Sequence, residues 1–217
     1  MDDGIVDPGA ARATPADAAT GAHPRPMPPG YPREYERVVS LSDGRHVVIR
    51  PVVPADAAQL EQAFRTADAQ TLRSRFLGTP PHVSSKLLAY LTGVDYVRRF
   101  ALVAGDPGTG RGVGVARYES CGEATAEVAV VVDPAWRRVG LATAMVELLA
   151  EAAIDRGIDT FVATYIADNR PVTALLDLVG NLDRRQISQG IAEIAVHLDR
   201  IRVAAAIRAL DTETPTT

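Results

Sequence analysis

The sequence predicts one mixed α/β domain of the α+β type, in which strands and helices are interspersed. A run rich in β-branched residues at 46–53 has strand character, and the segment 54–91 carries apolar residues at helical spacing. From 100 to 198, short apolar strands alternate with helical segments. A chain of 217 residues that is 47% hydrophobic and 23% charged has the size and composition of one globular domain with tails.

Both ends of the chain are predicted to lie outside this domain. Residues 1–36 are rich in Ala, Pro, Gly and Asp and have no periodic apolar pattern. Such a segment cannot bury enough apolar surface to offset the entropy lost on ordering. Residues 211–217 have a similar composition. The sequence therefore predicts a disordered leader at 1–36, a folded domain at 37–210 and a disordered tail at 211–217.

The first half of the domain is predicted to be one strand followed by three helices. A Ser-Asp-Gly turn at 42–44 precedes the strand at 46–53. Pro54 then opens a helix, because proline is favoured in the first turn, where its missing N–H is not needed. Further helices are predicted at 68–77 and from Ser84 onward, where leucines recur on one face.

The second half of the domain alternates strands with helices. The strands are predicted at 100–104, 112–119, 125–132, 160–166 and 191–198. A long amphipathic helix is predicted at 140–156, with Gly157 as its C-terminal stop. A short helix reaches 178 from a cap at Asp168 or Asn169, and a last helix ends near 210.

Charge and composition argue against several classes of protein. The formal net charge is −4, so the bulk composition gives no sign of the basic face typical of nucleic-acid binders. Cys121 is the only cysteine, and no intrachain disulfide is possible. No apolar run is long enough to span a bilayer, and no secretory signal pattern is present. Histidines are scattered without ligand spacing. We predict a cytoplasmic protein without a metal; the oligomeric state stays open.

The turn between the strand at 125–132 and the helix at 140–156 has the character of an anion-binding site. The first N–H groups of a helix lack intrahelical partners, and the helix dipole favours negative charge there. Gly140 permits close approach of a ligand, and Arg137 and Arg138 add positive charge. The alternative is that Gly140 merely suits a tight turn and that both arginines are solvated.

The spacing Arg137-x-x-Gly140-x-Ala142 resembles the Q/R-x-x-G-x-G/A pyrophosphate motif of the GNAT acetyltransferase superfamily. Asn169, with the later leucine and glycine, resembles a second segment of that family. The resemblance covers roughly 45–198. Further short segments are most similar to the catalytic domain of bacterial Pat-type protein-lysine acetyltransferases, namely Arg50-Pro51, Pro54-Ala55-Asp56, Arg75-Phe76 and Ala126-Glu127.

The resemblance implies a mixed, mostly antiparallel twisted sheet flanked by helices, and acetyl-CoA as cosubstrate without a metal. The strand ending at Val132 would splay from its neighbour, so that backbone groups of Val130, Val131 and Val132 could pair with pantetheine. Asn169 would lie near the pantetheine or the thioester. The turn would hold the pyrophosphate through the residues Arg137, Arg138, Val139, Gly140, Leu141, Ala142 and Thr143.

Glu127 is the best candidate for a catalytic base. Strand alternation places Glu127, Ala129 and Val131 on one face. A carboxylate within such an apolar run is expected to be partly desolvated, which would suit it to accept a proton from an amine. In Pat-type enzymes a glutamate in the matching Ala-Glu position is the implied base. The alternative is a glutamate at an exposed strand end, paired with an arginine such as Arg117.

The chain departs from the family pattern at two points. Many members have a tyrosine seven residues after the asparagine as general acid, but this position is Leu176, and Gly180 is followed by Asn181 instead of phenylalanine. The general acid is therefore unassigned, with water or Tyr165 as possibilities. The leading hypothesis is an N-acetyltransferase whose amine acceptor is a protein lysine or a small molecule. The alternatives are a non-catalytic acyl-CoA-binding module and an unrelated α/β protein that binds another phosphorylated ligand.

Overall fold

The computed structural model describes residues 27–212, which contain eight strands and six α-helices. The strands are β1 (Arg37–Ser40), β2 (His46–Pro51), β3 (Arg99–Gly105), β4 (Gly112–Ser120), β5 (Thr125–Val132), β6 (Thr160–Ile166), β7 (Gly180–Ser188) and β8 (Ile191–Leu198). The helices are α1 (Ala57–Thr66), α2 (Ala69–Phe76), α3 (Ser85–Thr92), α4 (Leu141–Ile154), α5 (Arg170–Asp177) and α6 (Arg200–Thr212). Short 3₁₀ turns lie at Arg33–Tyr35, Pro54–Asp56 and Pro134–Trp136.

All eight strands form one sheet in the order β1-β2-β3-β4-β5-β6-β8-β7. Every neighbouring pair is antiparallel except β5 and β6, which are parallel. This arrangement confirms the predicted mixed, mostly antiparallel sheet. The parallel pairing is short: it ends at the rung that joins Glu127 to Val162. Both strands continue beyond that rung, so the predicted splay after the paired segment is confirmed.

Helix α4 packs on one face of the sheet and is buried along most of its length. Gly114 on β4 allows this close approach, because a Cβ there would lie 2.9 Å from Sδ of Met145. Val113, Val115 and Arg117 alternate with Gly114 along β4 and therefore lie on the other face. That second face is covered by α1, α2 and α3, which leave a cavity between themselves and the sheet.

Two strands were not predicted. The outer strand β1 has four residues, too few to show an alternating pattern. The outer strand β7 is polar, and all its residues after Gly180 are exposed. It has no apolar face, so neither a period of two nor an apolar run could indicate a strand there. Its pairing with β8 defines it.

The ordered unit begins earlier than the predicted boundary at residue 37. Tyr35 is buried, and its ring meets Phe100 edge-on at 5.3 Å between centroids. Its hydroxyl donates to Asp155 over 2.7 Å and accepts from Arg156 over 2.8 Å. These contacts hold the last part of the predicted leader against the domain. The rest of the predicted leader, 1–26, and of the predicted tail, 213–217, lies outside the described residues.

Within residues 27–212, no helix is both long and apolar enough to cross a membrane. The same part of the chain contains no group of three or more His, Cys, Asp or Glu side chains that could hold a metal ion.

Helix α4 carries two partly buried carboxylates, and one of them supports a stability prediction. Burial raises the pKa of Glu147 and of Glu151. Because the pKa of Glu147 is higher in the folded than in the unfolded state, protonation of this carboxyl stabilises the fold. This stabilisation is fully present below the unfolded pKa and is lost as the pH rises through the folded pKa. At neutral pH the charged form of Glu147 therefore opposes folding.

We expect Glu147→Gln to raise the thermal midpoint by about 1–3 °C at pH 7.5. The gain should vanish near pH 4, where the wild-type carboxylate is itself largely protonated. Scanning calorimetry at both pH values measures the difference. The matched control is Glu123→Gln, because Glu123 is exposed in a turn. A lower midpoint for Glu147→Gln at pH 7.5 would show that its charge is favourable in the fold.

Candidate functional site

The splay between β5 and β6 creates a cleft lined by backbone groups of β5. The N–H of Asp133 donates to the carbonyl of Val113 over 2.9 Å, so odd-numbered residues of β5 turn their backbone groups toward β4. By alternation, Val128 and Val130 turn theirs toward the cleft. The carbonyl of Val132 also points there, but it accepts from Nε of Arg137 over 3.1 Å. An extended ligand with amide groups could pair with β5 in this cleft.

This geometry changes the predicted set of pairing residues. Val130 lies where it was predicted, and Val132 retains its N–H on the cleft side. Val131 directs its backbone toward β4, and its side chain lines the cavity on the other face. Val128, which the sequence analysis did not select, offers its backbone to the cleft. The sequence contained the signal, because an antiparallel strand alternates its hydrogen bonds as well as its side chains.

The turn before α4 presents free backbone donors beside this cleft. Gly140 has a φ of 93° and precedes the helix without any side-chain cap. The hydrogen bond that begins the helix runs from the N–H of Ala144 to the carbonyl of Gly140 over 3.0 Å. The N–H groups of Leu141, Ala142 and Thr143 therefore precede the helical ladder. A Cβ placed on Gly140 would meet no atom within 4 Å, so the approach to these donors is open.

Neighbouring contacts hold this turn in place. Val139 accepts a hydrogen bond from the N–H of Ser42 over 3.1 Å, which ties the turn to the loop between β1 and β2. Arg138 has a φ of 63°, and its side chain is exposed. Leu141 is buried in the core and can offer a ligand only its backbone. The predicted anion-binding turn is thus a loop that is tied to its neighbours and carries two exposed arginines.

Arg137 lies beside the turn, and two hydrogen bonds hold its side chain. Its Nη2 donates to Oγ1 of Thr71 over 2.7 Å, while its Nε binds the carbonyl of Val132. Thr71 is itself held by Asp68, which caps α2 by accepting from the N–H of Thr71 over 2.8 Å. The hydrogen bonds from Thr71 also lower the pKa of Asp68. Arg137 therefore links the turn to α2, and both Arg137 and Arg138 are exposed.

Glu127 lies on the last paired rung before β5 and β6 separate. It stands directly opposite Glu119, while Arg117 stands opposite Ala129, which confirms the predicted alternation. The predicted partial burial of the Glu127 carboxylate is wrong, because the residue is exposed at the end of the sheet pairing. No ion pair joins it to Arg117 within residues 27–212. Its charge instead interacts with that of Arg75 on α2.

The loop after β6 brings Asn169 to the other side of the cleft. Asn169 is half-buried at the N-cap of α5, and its side chain makes no capping hydrogen bond. Leu176 is 1% exposed and packs in the core, so the position of the usual tyrosine offers no proton. Tyr165 is buried, and its hydroxyl shares a 2.7 Å hydrogen bond with Oγ1 of Thr173.

The face of the sheet opposite α4 holds a cavity of about 760 Å³ that the sequence analysis missed. Its floor is formed by β2, β3 and β4, and its roof by α1 and α2 with two leucines of α3. Arg75 and Arg117 reach its wall, and Val131 brings β5 to its edge. The sequence did contain one signal: Arg117 interrupts the apolar run Val113-Gly-Val-Ala of a central strand.

The chain matches the family model for the acetyltransferase (GNAT) domain over residues 46–180, more than half of its length. A curated acetyltransferase of Pseudomonas aeruginosa is 33% identical over 165 residues, which cover 73% of this chain and 89% of that protein. The family match includes the turn before α4 and the strands β5 and β6 that form the cleft.

Solved structures show the same architecture. The GNAT domain of PAT from S. lividans has a TM-score of 0.69 at 27% identity, and the match covers 77% of this chain and 99% of that domain. An acetyltransferase from Salmonella typhimurium, solved with its cofactor acetyl-CoA, has a TM-score of 0.57 at 20% identity. That match covers 71% of this chain and 95% of the other, and it shows similarity of fold.

Proposed function

The chain belongs to the acetyltransferase (GNAT) domain family and is an acyltransferase, and from this premise we propose that it transfers the acetyl group of acetyl-CoA to an amine with Glu127 as general base. One observation carries the proposal: a cleft with free strand backbone opens next to a helix N-terminus with free N–H groups. A chain of amides ending in a pyrophosphate matches both parts. Coenzyme A has this composition.

The residues around the cleft fit such a ligand. The backbone groups of Val128 and Val130 would pair with the pantetheine amides. The N–H groups of 141–143 would bind the pyrophosphate, helped by the dipole of α4 and the nearby charge of Arg138. Asn169 would approach the pantetheine from the side of β6. The bound cosubstrate supplies a thioester, whose carbonyl carbon accepts an amine nucleophile.

Glu127 is suited to take a proton from the attacking amine because of its position. The acceptor nitrogen bonds to the carbonyl carbon while the C–S bond breaks, so nitrogen must lose a proton and sulfur must gain one. Glu127 lies on the last paired rung of the cleft and on the sheet face toward the cavity. We propose that it accepts the nitrogen proton, directly or through one water, and that solvent protonates the thiolate. Holding the amine beside the thioester provides much of the acceleration.

The proposal predicts that a negative charge at the turn abolishes cosubstrate binding. We expect Gly140→Glu to weaken acetyl-CoA binding by about 100-fold or more, since the carboxylate competes with the pyrophosphate and covers the free N–H groups. Titration calorimetry measures the dissociation constant. Gly157→Glu is the matched control, because Gly157 also has a positive φ, with no neighbour near its Cβ, but lies beyond the other end of α4. Equal affinities of the two variants would place the pyrophosphate elsewhere.

A second function, non-catalytic binding of acyl-CoA, is favoured by the burial of Leu176 at the position of the usual general acid. The two functions differ in turnover. Acetyl-CoA bound tightly, without CoA release over a broad panel of amines, would support the binding module. CoA release that depends on an added amine would support the transferase.

A further inference from the structure

Two arginines line the cavity without a carboxylate partner. Arg117 is only 8% exposed, and its buried Nη2 has no hydrogen-bond partner among residues 27–212. Arg75 is half-buried and likewise forms no ion pair within the described part of the chain. Other arginines of the same wall are paired, Arg50 with Asp56 and Arg111 with Asp133. In this cavity two arginines therefore have an ion-pair partner and two have none among the described residues.

At both arginines the effect of burial outweighs the attraction of the nearest carboxylate. Burial lowers the pKa of Arg75, and burial followed by the charge of Arg75 lowers that of Arg117. The nearby carboxylates, Glu119 beside Arg117 and Glu127 beside Arg75, offset the burial only in part, and neither forms an ion pair with these arginines in the described part of the chain. Glu119 accepts a hydrogen bond from the hydroxyl of Tyr90 over 2.5 Å. A buried charge without a partner is costly, so a ligand that brings an anion to this wall would be bound strongly.

We propose that this cavity is the acceptor site and that it selects a small primary amine carrying a carboxylate, whose anionic group binds Arg117 and Arg75. The inference rests on the proposed function and names its acceptor class. The volume of about 760 Å³ suits a small molecule, and the apolar side chains of α1, α2 and α3 suit an apolar substituent. The acceptor is thus an amino-acid-like molecule with an apolar side chain.

The sheet register places Glu127 and Arg117 at a separation that a small amine with a carboxylate can span. Arg117 lies opposite Ala129, two residues along β5 from Glu127 and on the same face. Diagonal neighbours of this kind are about 7–8 Å apart. Arg75 lies near both groups, because it lines the cavity and its charge interacts with that of Glu127. An acceptor with its amine near Glu127 and its carboxylate at Arg117 needs only a few bonds between the two groups.

The same charges disfavour a protein lysine as acceptor. A lysine side chain would bring a cation and a long aliphatic stem toward two unpaired arginines, and it carries no anion to neutralise them. Its positive charge would instead be repelled before the amine could lose its proton. The cavity therefore discriminates against lysine through the same residues that bind a carboxylate.

The test compares acceptors that differ only in the anionic group. Leucine and leucinamide, and methionine and methioninamide, are used as acceptors at saturating acetyl-CoA, and kcat/KM is measured from CoA release. We expect each carboxylate to be preferred over its amide by about tenfold or more. The amide has the less basic amine and thus more free base at neutral pH, so this bias opposes the expected result.

Arg117→Gln should bring the ratio of kcat/KM for carboxylate to kcat/KM for amide close to one. The control is Arg73→Gln, because Arg73 is an exposed arginine on the same helix as Arg75, and it should retain the preference. Arg117→Met should also raise the thermal midpoint of the ligand-free protein, because it removes an unpaired buried charge. A purely structural arginine would give a lower midpoint and an unchanged ratio.

The inference is overturned if amides or a lysine peptide react as well as the carboxylates, or if Arg117→Gln keeps the wild-type ratio. Acetyl-CoA binding and amine-dependent CoA release would persist in those cases, so the proposed function would stand. Failure of the wild-type protein to bind acetyl-CoA would instead overturn the proposed function, and with it this inference.

Discussion

Replacing Glu127 with glutamine is expected to lower kcat for acetyl transfer by about 10²–10⁴-fold, while the dissociation constant of acetyl-CoA changes by less than about twofold. Glutamine keeps the shape of the side chain but cannot accept a proton. The residue stands where β5 and β6 part, on the face that carries the cavity. The expected loss therefore falls on proton removal from the acceptor and not on binding of the acyl donor.

Stopped-flow or steady-state detection of free CoA thiol measures this loss, with titration calorimetry for acetyl-CoA in parallel. The control is Glu193→Gln, because Glu193 is an exposed strand glutamate on β8, away from the cleft. Wild-type turnover of Glu127→Gln would assign proton removal to water. An equal loss of acetyl-CoA affinity would show that Glu127 supports the cosubstrate site and is not the base.

Replacing Asp56 with asparagine is expected to lower the free energy of unfolding by about 3–5 kcal/mol, the loss typical of breaking one side of a buried ion pair. Both oxygens of Asp56 accept from Arg50, over 2.7 and 2.8 Å, and one also accepts from the N–H of Val53 over 2.9 Å. The side chain of Arg50 is 11% exposed and that of Asp56 is 5% exposed. Asparagine would leave the guanidinium of Arg50 buried without a compensating charge.

Urea denaturation followed by circular dichroism measures this change. Asp43→Asn is the control, because Asp43 pairs with Arg45 on the surface, where solvent screens the pair, and it should change the midpoint little. A variant in which Arg50→Met and Asp56→Leu are combined should recover much of the loss, since it removes both charges. A loss below about 1 kcal/mol in Asp56→Asn would show that Arg50 finds another acceptor.

The ion pair between Arg50 and Asp56 stabilises the fold and also forms part of the cavity wall. Asp56 ends the 3₁₀ turn that begins α1, and both members of the pair line the cavity. Loss of the pair would therefore loosen the roof over Arg75 and Arg117. We expect the acceptor preference to be more sensitive to Asp56→Asn than acetyl-CoA affinity, because the turn before α4 is held by other contacts.

Most elements with a strong apolar period were predicted within a few residues. The helix α4 and the central strands β3, β4 and β5 carry their patterns locally. The two outer strands were missed because pairing with a neighbour, and not their own residues, makes them strands. The start of the domain was placed too late for a related reason: Tyr35 lies in a proline-rich segment and is buried only by distant residues.

Some features of the candidate site could also be predicted from local sequence, and others depend on residues far apart in the chain. The turn between β5 and α4 could be predicted because Gly140, the preceding strand and the following helix lie together in one segment. The role of Arg137 could not, since its partner Thr71 is 66 positions away. The exposure of Glu127 depends on where β5 and β6 separate, and that point is set by the packing of the whole sheet.

The sequence by itself determined the fold class, the glycine turn before α4 and the strand alternation that places Glu127 on its face, because each follows from local patterns along the chain. Only the tertiary structure decided which backbone groups of β5 are free, which arginines have partners and where the cavity lies. These properties arise between segments: Arg117 of β4 and Arg75 of α2 become two neighbouring cations without an ion pair only when the helices cover the sheet. Burial and the absence of a counter-charge are relations between residues distant in sequence, so no local pattern records them.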